Sequence, residues 1–184
     1  LRRDGYVAEA VQTYRRIIDE VEKGRKIDFD EKDENRLKIA FSRGDFLERA
    51  YLDDGTPKVV EKRFNNHTGI KIGVVKDVKP FKNDLYEVTI FSNRKLCKGD
   101  GIKFFDKDKE SASLGIGEAR EKGKNLYSVV TTAKVRAGWT VNLISDAGRE
   151  KELAEVARFA PISLDVEALV GKPLAITAYY ESGD

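Results

Sequence analysis

Apolar residues recur with a helical period over residues 4–22, at Tyr6, Val7, Ala10, Val11, Tyr14, Ile17, Ile18 and Val21. That spacing predicts an amphipathic helix with a broad apolar stripe. Asp4 suits its N-cap, and Lys23-Gly24 its stop. A stripe this wide needs cover, from the rest of the fold, from another copy, or from a part of a longer protein. A weaker helix is predicted over 28–41. Asp30 caps it, Asp33 and Glu34 fall in the first turn where carboxylates suit the helix dipole, and Leu37, Ala40 and Phe41 form a short apolar face. Residues 42–68 read as loop, with turn clusters at Asp53-Asp54-Gly55-Thr56-Pro57 and Asn65-Asn66-His67-Thr68-Gly69.

From Gly69 the period changes to two. Ile70, Ile72 and Val74 alternate, and Val75 with Val78 marks a bend or bulge. Further strands are predicted at 85–91, 102–105, 113–119, 127–133 and 139–144, separated by Gly, Asp and Lys turns. The expected fold is α+β and mainly β. Its centre is a small antiparallel six-stranded β-barrel like the elongation-factor barrels, with N-terminal helices before it. A faint repeat relates Leu96-Cys97-Lys98-Gly99-Asp100-Gly101-Ile102 to Val135-Arg136-Ala137-Gly138-Trp139-Thr140-Val141. A short helix follows over 148–158. Two strands at 162–167 and 172–180 then form a C-terminal β-hairpin, which either joins the barrel or begins another domain, since a lone hairpin is marginal. The expected organisation is a helix at 1–24, a helix with loops at 25–68, the barrel at 69–147, and a helix plus hairpin at 148–184.

Composition narrows the function classes. The 36% charged residues nearly cancel, leaving a net charge of +2, so the chain lacks the overall basic excess of many nucleic-acid domains. No apolar run reaches the ~20 residues that span a bilayer, and no signal peptide is visible, so a cytoplasmic protein without membrane contact is expected. One Cys and one His exclude an internal disulfide, a Cys/His zinc site and an iron–sulfur cluster held by this chain alone. No cofactor is expected. The chain has no Met and starts at Leu1 in a helix approach, which reads as a piece of a longer protein.

Few residues offer chemistry. Gly115-Ile116-Gly117 lacks the spacing and the Gly-Lys-Ser/Thr of a phosphate loop, and reads as strand or bulge glycines. His67 lies in a polar turn with no nucleophile in frame, and reads as a turn residue. Cys97 sits between Lys95 and Lys98, which would favour its thiolate, but reads as a strand-end thiol. Asp30, Glu31, Asp33 and Glu34 follow no EF-hand pattern and read as a solvated helix start. No catalytic or metal-ligating residue is therefore assigned. Basic residues at Lys58, Lys62, Arg63, Lys71, Lys76, Lys79 and Lys82, interleaved with Phe64 and Phe81, could form a strip facing nucleic acid. Glu61, Asp77 and Asp84 interrupt it. The contact residues singled out for nucleic acid or substrate are Arg43, Lys62, Arg63, Lys71 and Lys76.

Three segments resemble one family. Leu1-Arg2-Arg3-Asp4-Gly5-Tyr6-Val7-Ala8 with Tyr14-Arg15 resembles the helix that closes the catalytic region of the U32 peptidase (collagenase-like) family. Ala40-Phe41-Ser42-Arg43-Gly44-Asp45-Phe46 with Ala50-Tyr51-Leu52 resembles a segment beyond it, although Ser42 stands at the usual Asn and Asp45 precedes Phe46. Gly69-Ile70-Lys71-Ile72-Gly73-Val74-Val75 with Lys98-Gly99-Asp100-Gly101-Ile102 is similar to the collagenase-associated barrel downstream. The resemblance implies a bacterial protein with a TIM-barrel-like catalytic region upstream, which would be this chain's partner, and a macromolecular substrate, protein or RNA. Family members are labelled peptidases, hydrolases of the collagenase-like kind. Some relatives act in RNA-base hydroxylation through cluster-binding cysteines that have no match here. The expected function is a non-catalytic accessory or substrate-positioning domain. The alternative is an RNA-binding module of an RNA-modification protein. An independent enzyme has the least support.

Overall fold

The computed structural model describes residues 4–27, 29–44, 64, 66–107, 109–155 and 162–180. The chain divides into two compact units, Leu1–Ala154 and Glu155–Asp184. The first contains α1 (Asp4–Glu22), α2 (Glu31–Ala40), seven strands and most of α3 (Ala147–Glu155). The strands are β1 (Ile70–Pro80), β2 (Tyr86–Ser92), β3 (Gly101–Asp106), β4 (Lys109–Gly115), β5 (Arg120–Gly123), β6 (Leu126–Thr131) and β7 (Thr140–Ser145). The second unit is a hairpin of β8 (Ile162–Glu167) and β9 (Ala175–Tyr180).

Local chemistry explains the helix ends. Gly24 adopts φ +66°, where a Cβ would be strained, and its N–H reaches the Val21 carbonyl while that of Arg25 reaches Glu20. At α2, the Asp30 carboxylate accepts the Asp33 N–H at 2.9 Å, and Asp33 accepts the Asp30 N–H in return. That reciprocal cap satisfies two N–H groups that the helix itself leaves open.

The expected closed six-stranded barrel is not formed. The first unit contains an open seven-stranded antiparallel sheet in the order β4-β3-β7-β1-β2-β6-β5, and the hairpin is a separate two-stranded sheet, so the fold is mixed helix and sheet. The physical cause lies in residues 109–123. The single strand expected at 113–119 is replaced by β4, which starts earlier and ends at Gly115, and by the four-residue β5; between them the backbone of Ile116 bonds to the 99–100 turn. β4 and β5 therefore end at opposite edges. Both are rich in exposed polar side chains (Lys109, Glu110, Ser111 and Ser113; Arg120, Glu121 and Lys122), which protect an open edge from further pairing. Their weak apolar alternation also hides them from periodicity.

One cluster of buried side chains underlies the sheet, including Ile72, Val75, Val88, Ile90, Ile102, Phe104, Tyr127, Val129, Val141 and Leu143. The sequence repeat is structural and extends beyond its seven residues. Leu96 and Val135 are both buried, and Gly99 and Gly138 both have positive φ. The Gly99 N–H donates to the Ile116 carbonyl and that of Gly138 to Val75, each at 2.8 Å. Ile116 and Val75 return the bond to Asp100 and Trp139. Upstream, the Ser92 and Thr131 hydroxyls accept from Arg94 and Ala133. Downstream, Ile102 pairs with Leu143, Phe104 with Val141, and Lys103 with Asn142. β3 and β7 are thus related by a local pseudo-two-fold through the Lys103–Asn142 pair.

Candidate functional site

The helix α1 packs with its polar face inward. Glu9 and Thr13 are its buried residues, whereas Val11 is 60% and Tyr14 65% exposed, and Tyr6, Ile18 and Val21 are exposed too. Glu9, Gln12, Thr13 and Arg16 recur at the three- and four-residue spacings that share a helix face. That face meets charges. Arg149 donates to both Glu9 carboxylate oxygens, from Nε at 2.7 Å and Nη2 at 3.0 Å. It also reaches Gln12 and Glu152 at 2.9 Å each. Arg16 pairs with Asp33 of α2. The hydrogen bond and charge of Glu9 push the Arg149 pKa further above its ordinary value, so the guanidinium stays charged.

This arginine belongs to a wider network around the Lys98-Gly99-Asp100-Gly101 turn. The Asp100 carboxylate is fully buried. It accepts the Cys97 N–H at 2.9 Å and the Ala147 N–H at 3.0 Å, tying its own turn to the start of α3. Gly99 and Gly101 allow the close approach: a Cβ on Gly99 would lie 2.9 Å from the Ala147 Cβ, and one on Gly101 2.6 Å from the Ser145 Oγ. Asp146 caps α3 by accepting the Arg149 N–H at 3.1 Å, and binds Arg94 Nη1 at 2.9 Å.

Burial pushes the Asp146 carboxyl up. The Arg94 hydrogen bond and the Arg149 and Gly148 N–H groups outweigh that and hold it below the usual carboxylate range. A native value below the unfolded one contributes stability above the unfolded pKa, and that contribution is lost as pH falls through the native value. Asp146→Asn is expected to flatten this acid limb of stability against pH, as read by urea unfolding across the acid range. An unchanged limb contradicts the assignment.

Beside the network runs a groove of about 620 Å³ between α2 and α3. Lys32, Asn35, Arg36 and Ile39 line one wall, Arg94, Asp146, Arg149 and Glu152 the other, with Ile70 between them. The spacing of the four α2 residues places them on one face of that helix.

The residues singled out from the sequence do not gather here. Arg43 follows α2, its guanidinium 5.7 Å from the centre of the Phe41 ring. Phe41 in turn stacks on His67 and meets Tyr6 edge-on. Lys71 and Lys76 are exposed on β1, beside the inward Ile72 and Val75, and Lys76 Nζ lies 5.6 Å from the Phe91 ring centre. Lys62 and Arg63 lie outside the described residues. Both ring nitrogens of His67 meet backbone: Nδ1 accepts the Ser42 N–H at 3.0 Å, and Nε2 faces the Ile39 and Ile144 carbonyls at 3.0 Å. Its position serves to join α2 to β7. Cys97 is exposed and its thiol free. Among the described residues, no cluster of three or more His, Cys, Asp or Glu side chains could hold a metal ion, and no helix is long and apolar enough to cross a membrane.

Sequence reasoning missed Glu9, Arg94, Asp100, Asp146 and Arg149. A carboxylate between two turn glycines was the available signal for Asp100. Glu9 gave none, because the apolar stripe pointed to the opposite face as the buried one. No protein-family model, curated protein or solved structure matches this chain.

Proposed function

We propose that this chain is a non-catalytic accessory domain that packs against a catalytic region through the outer face of α1. The observation that carries the reading is the inverted helix. Val7, Val11, Tyr14, Ile18 and Val21 follow alternating four- and three-residue steps, the spacing with which helices pack. All but the half-buried Val7 are exposed, while the polar face is spent on Arg149 and Asp33. Apolar side chains aligned in this way mark a contact surface. The resemblance to the U32 family supplies the partner, a TIM-barrel-like catalytic region, and a macromolecular substrate for the pair to act on.

The test mixes this chain with a U32-type catalytic region and measures binding by calorimetry. Val11→Asp/Ile18→Asp is expected to weaken binding at least tenfold while changing the stability of the chain alone by no more than about 0.5 kcal/mol. Absent binding, or equal binding by both forms, contradicts the proposal.

A second reading, the RNA-binding module, is favoured by one observation. Arg43 over Phe41 and Lys76 over Phe91 are cation–aromatic pairs with partly exposed rings. Such rings can stack bases while the cations meet phosphates. Binding of structured ribosomal RNA that weakens steeply with salt, and weakens further in Arg43→Ala/Lys76→Ala, would support this reading. No binding at low salt would remove it.

A further inference from the structure

We propose that the groove between α2 and α3 binds the carboxyl end of a peptide whose last side chain is apolar. The proposal is independent of the docking of α1. It follows from which charges in the groove are already committed. Arg149 donates to Glu9, Gln12 and Glu152, and Arg94 to Asp146 and the Lys95 carbonyl. The first N–H groups of α3 are spent as well, that of Ala147 on Asp100 and that of Arg149 on Asp146. The α3 N-terminus is therefore no phosphate cradle.

Lys32, Asn35 and Arg36 remain. None of them has a partner among the described residues, and the three occupy one wall of a groove of about 620 Å³. A guanidinium fork beside an amide and an ammonium group suits a carboxylate, which Arg binds through two parallel hydrogen bonds. The same groove is lined by Asp30, Glu31, Asp146 and Glu152, whose charges oppose a phosphate dianion more than a single carboxylate. Glu31, also without a partner among the described residues, can take the ammonium group of a short peptide. Ile39 and Ile70 offer apolar surface to its last side chain. The volume holds a few residues of extended chain rather than a folded partner.

The experiment titrates isotope-labelled chain with the dipeptide Leu-Leu, its C-terminal amide, and inorganic phosphate, following backbone amide shifts. Leu-Leu is expected to shift the amides of Lys32, Asn35, Arg36, Ile39 and Gly148 with a Kd on the order of millimolar or below. Amidation and Arg36→Gln should each weaken binding at least tenfold. The Arg36→Gln spectrum without ligand reports that the fold is retained. Lys124→Gln, outside the groove, should bind as the unmodified chain does. Three results would overturn the proposal: no shifts with Leu-Leu, phosphate binding as tight as Leu-Leu, or Leu-Leu binding that Arg36→Gln leaves unchanged.

Discussion

Arg149→Ala is expected to destabilise the first unit by about 3–5 kcal/mol, the range for breaking a buried ion pair from one side. The Glu9 side chain is only 3% exposed and would keep a carboxylate with its two Arg149 bonds gone. Gln12 and Glu152 would lose the same donor. The asymmetry of buried pairs makes the prediction specific. Glu9→Leu/Arg149→Met removes both charges and should recover most of the loss, because desolvation of the pair then disappears from both sides. Urea unfolding of the two variants and the parent chain measures this. A loss below about 1 kcal/mol for Arg149→Ala, the level of an exposed pair, would show that α1 does not rest on its polar face.

Asp100→Ala is expected to cost about 2–5 kcal/mol, because two N–H groups beside a fully buried carboxylate lose their acceptor. Asp100→Asn keeps one acceptor oxygen and should cost roughly half as much. The position also has an internal control. Trp139 occupies the equivalent place in the repeated turn, where no carboxylate is present and no helix start is bound through one. The costs of Asp100→Ala therefore fall on the Cys97 turn and on α3 docking, and not on the repeated Gly138 turn. Amide exchange should localise them there, with protection falling at Cys97 and at Ala147–Glu155 and remaining at the Gly138 turn. Uniform loss of protection across both turns would contradict that division.

The hierarchy of what the sequence shows has physical causes. The two N-terminal helices were legible because capping acts within a few residues: Asp30 with Asp33, and Gly24 after the apolar period. β1, β2, β3 and β7 were legible because their inward residues alternate or run continuously, as Val88 with Ile90 and Val141 with Leu143 do. β4 and β5 escaped because their exposed edge positions are polar, leaving little period to detect. They lie at opposite edges, with Ile116 between them bonded to a distant turn, and that arrangement leaves the sheet open. Contacts of that range leave no local trace.

The site was less legible than the fold, for a related reason. An amphipathic helix is ordinarily assumed to bury its apolar stripe, and α1 does the opposite because Arg149, far along the chain, supplies a charge for Glu9. The groove depends on an equally distant meeting of α2 and α3. Arg43, Lys71 and Lys76 are exposed surface cations, Arg43 just after α2 and both lysines on β1, and none of them lines the groove.

Which face of α1 is covered can be measured by thiol labelling in a Cys97→Ser background. A cysteine is placed either at Val11 or at Thr13, and its modification rate is compared with that of the unfolded chain. The expected result is fast labelling at position 11 and strong protection at position 13. Addition of a U32-type catalytic region should then slow labelling at position 11 alone. Protection at position 11 in the chain by itself, with fast labelling at position 13, would contradict the inverted helix and the docking surface built on it.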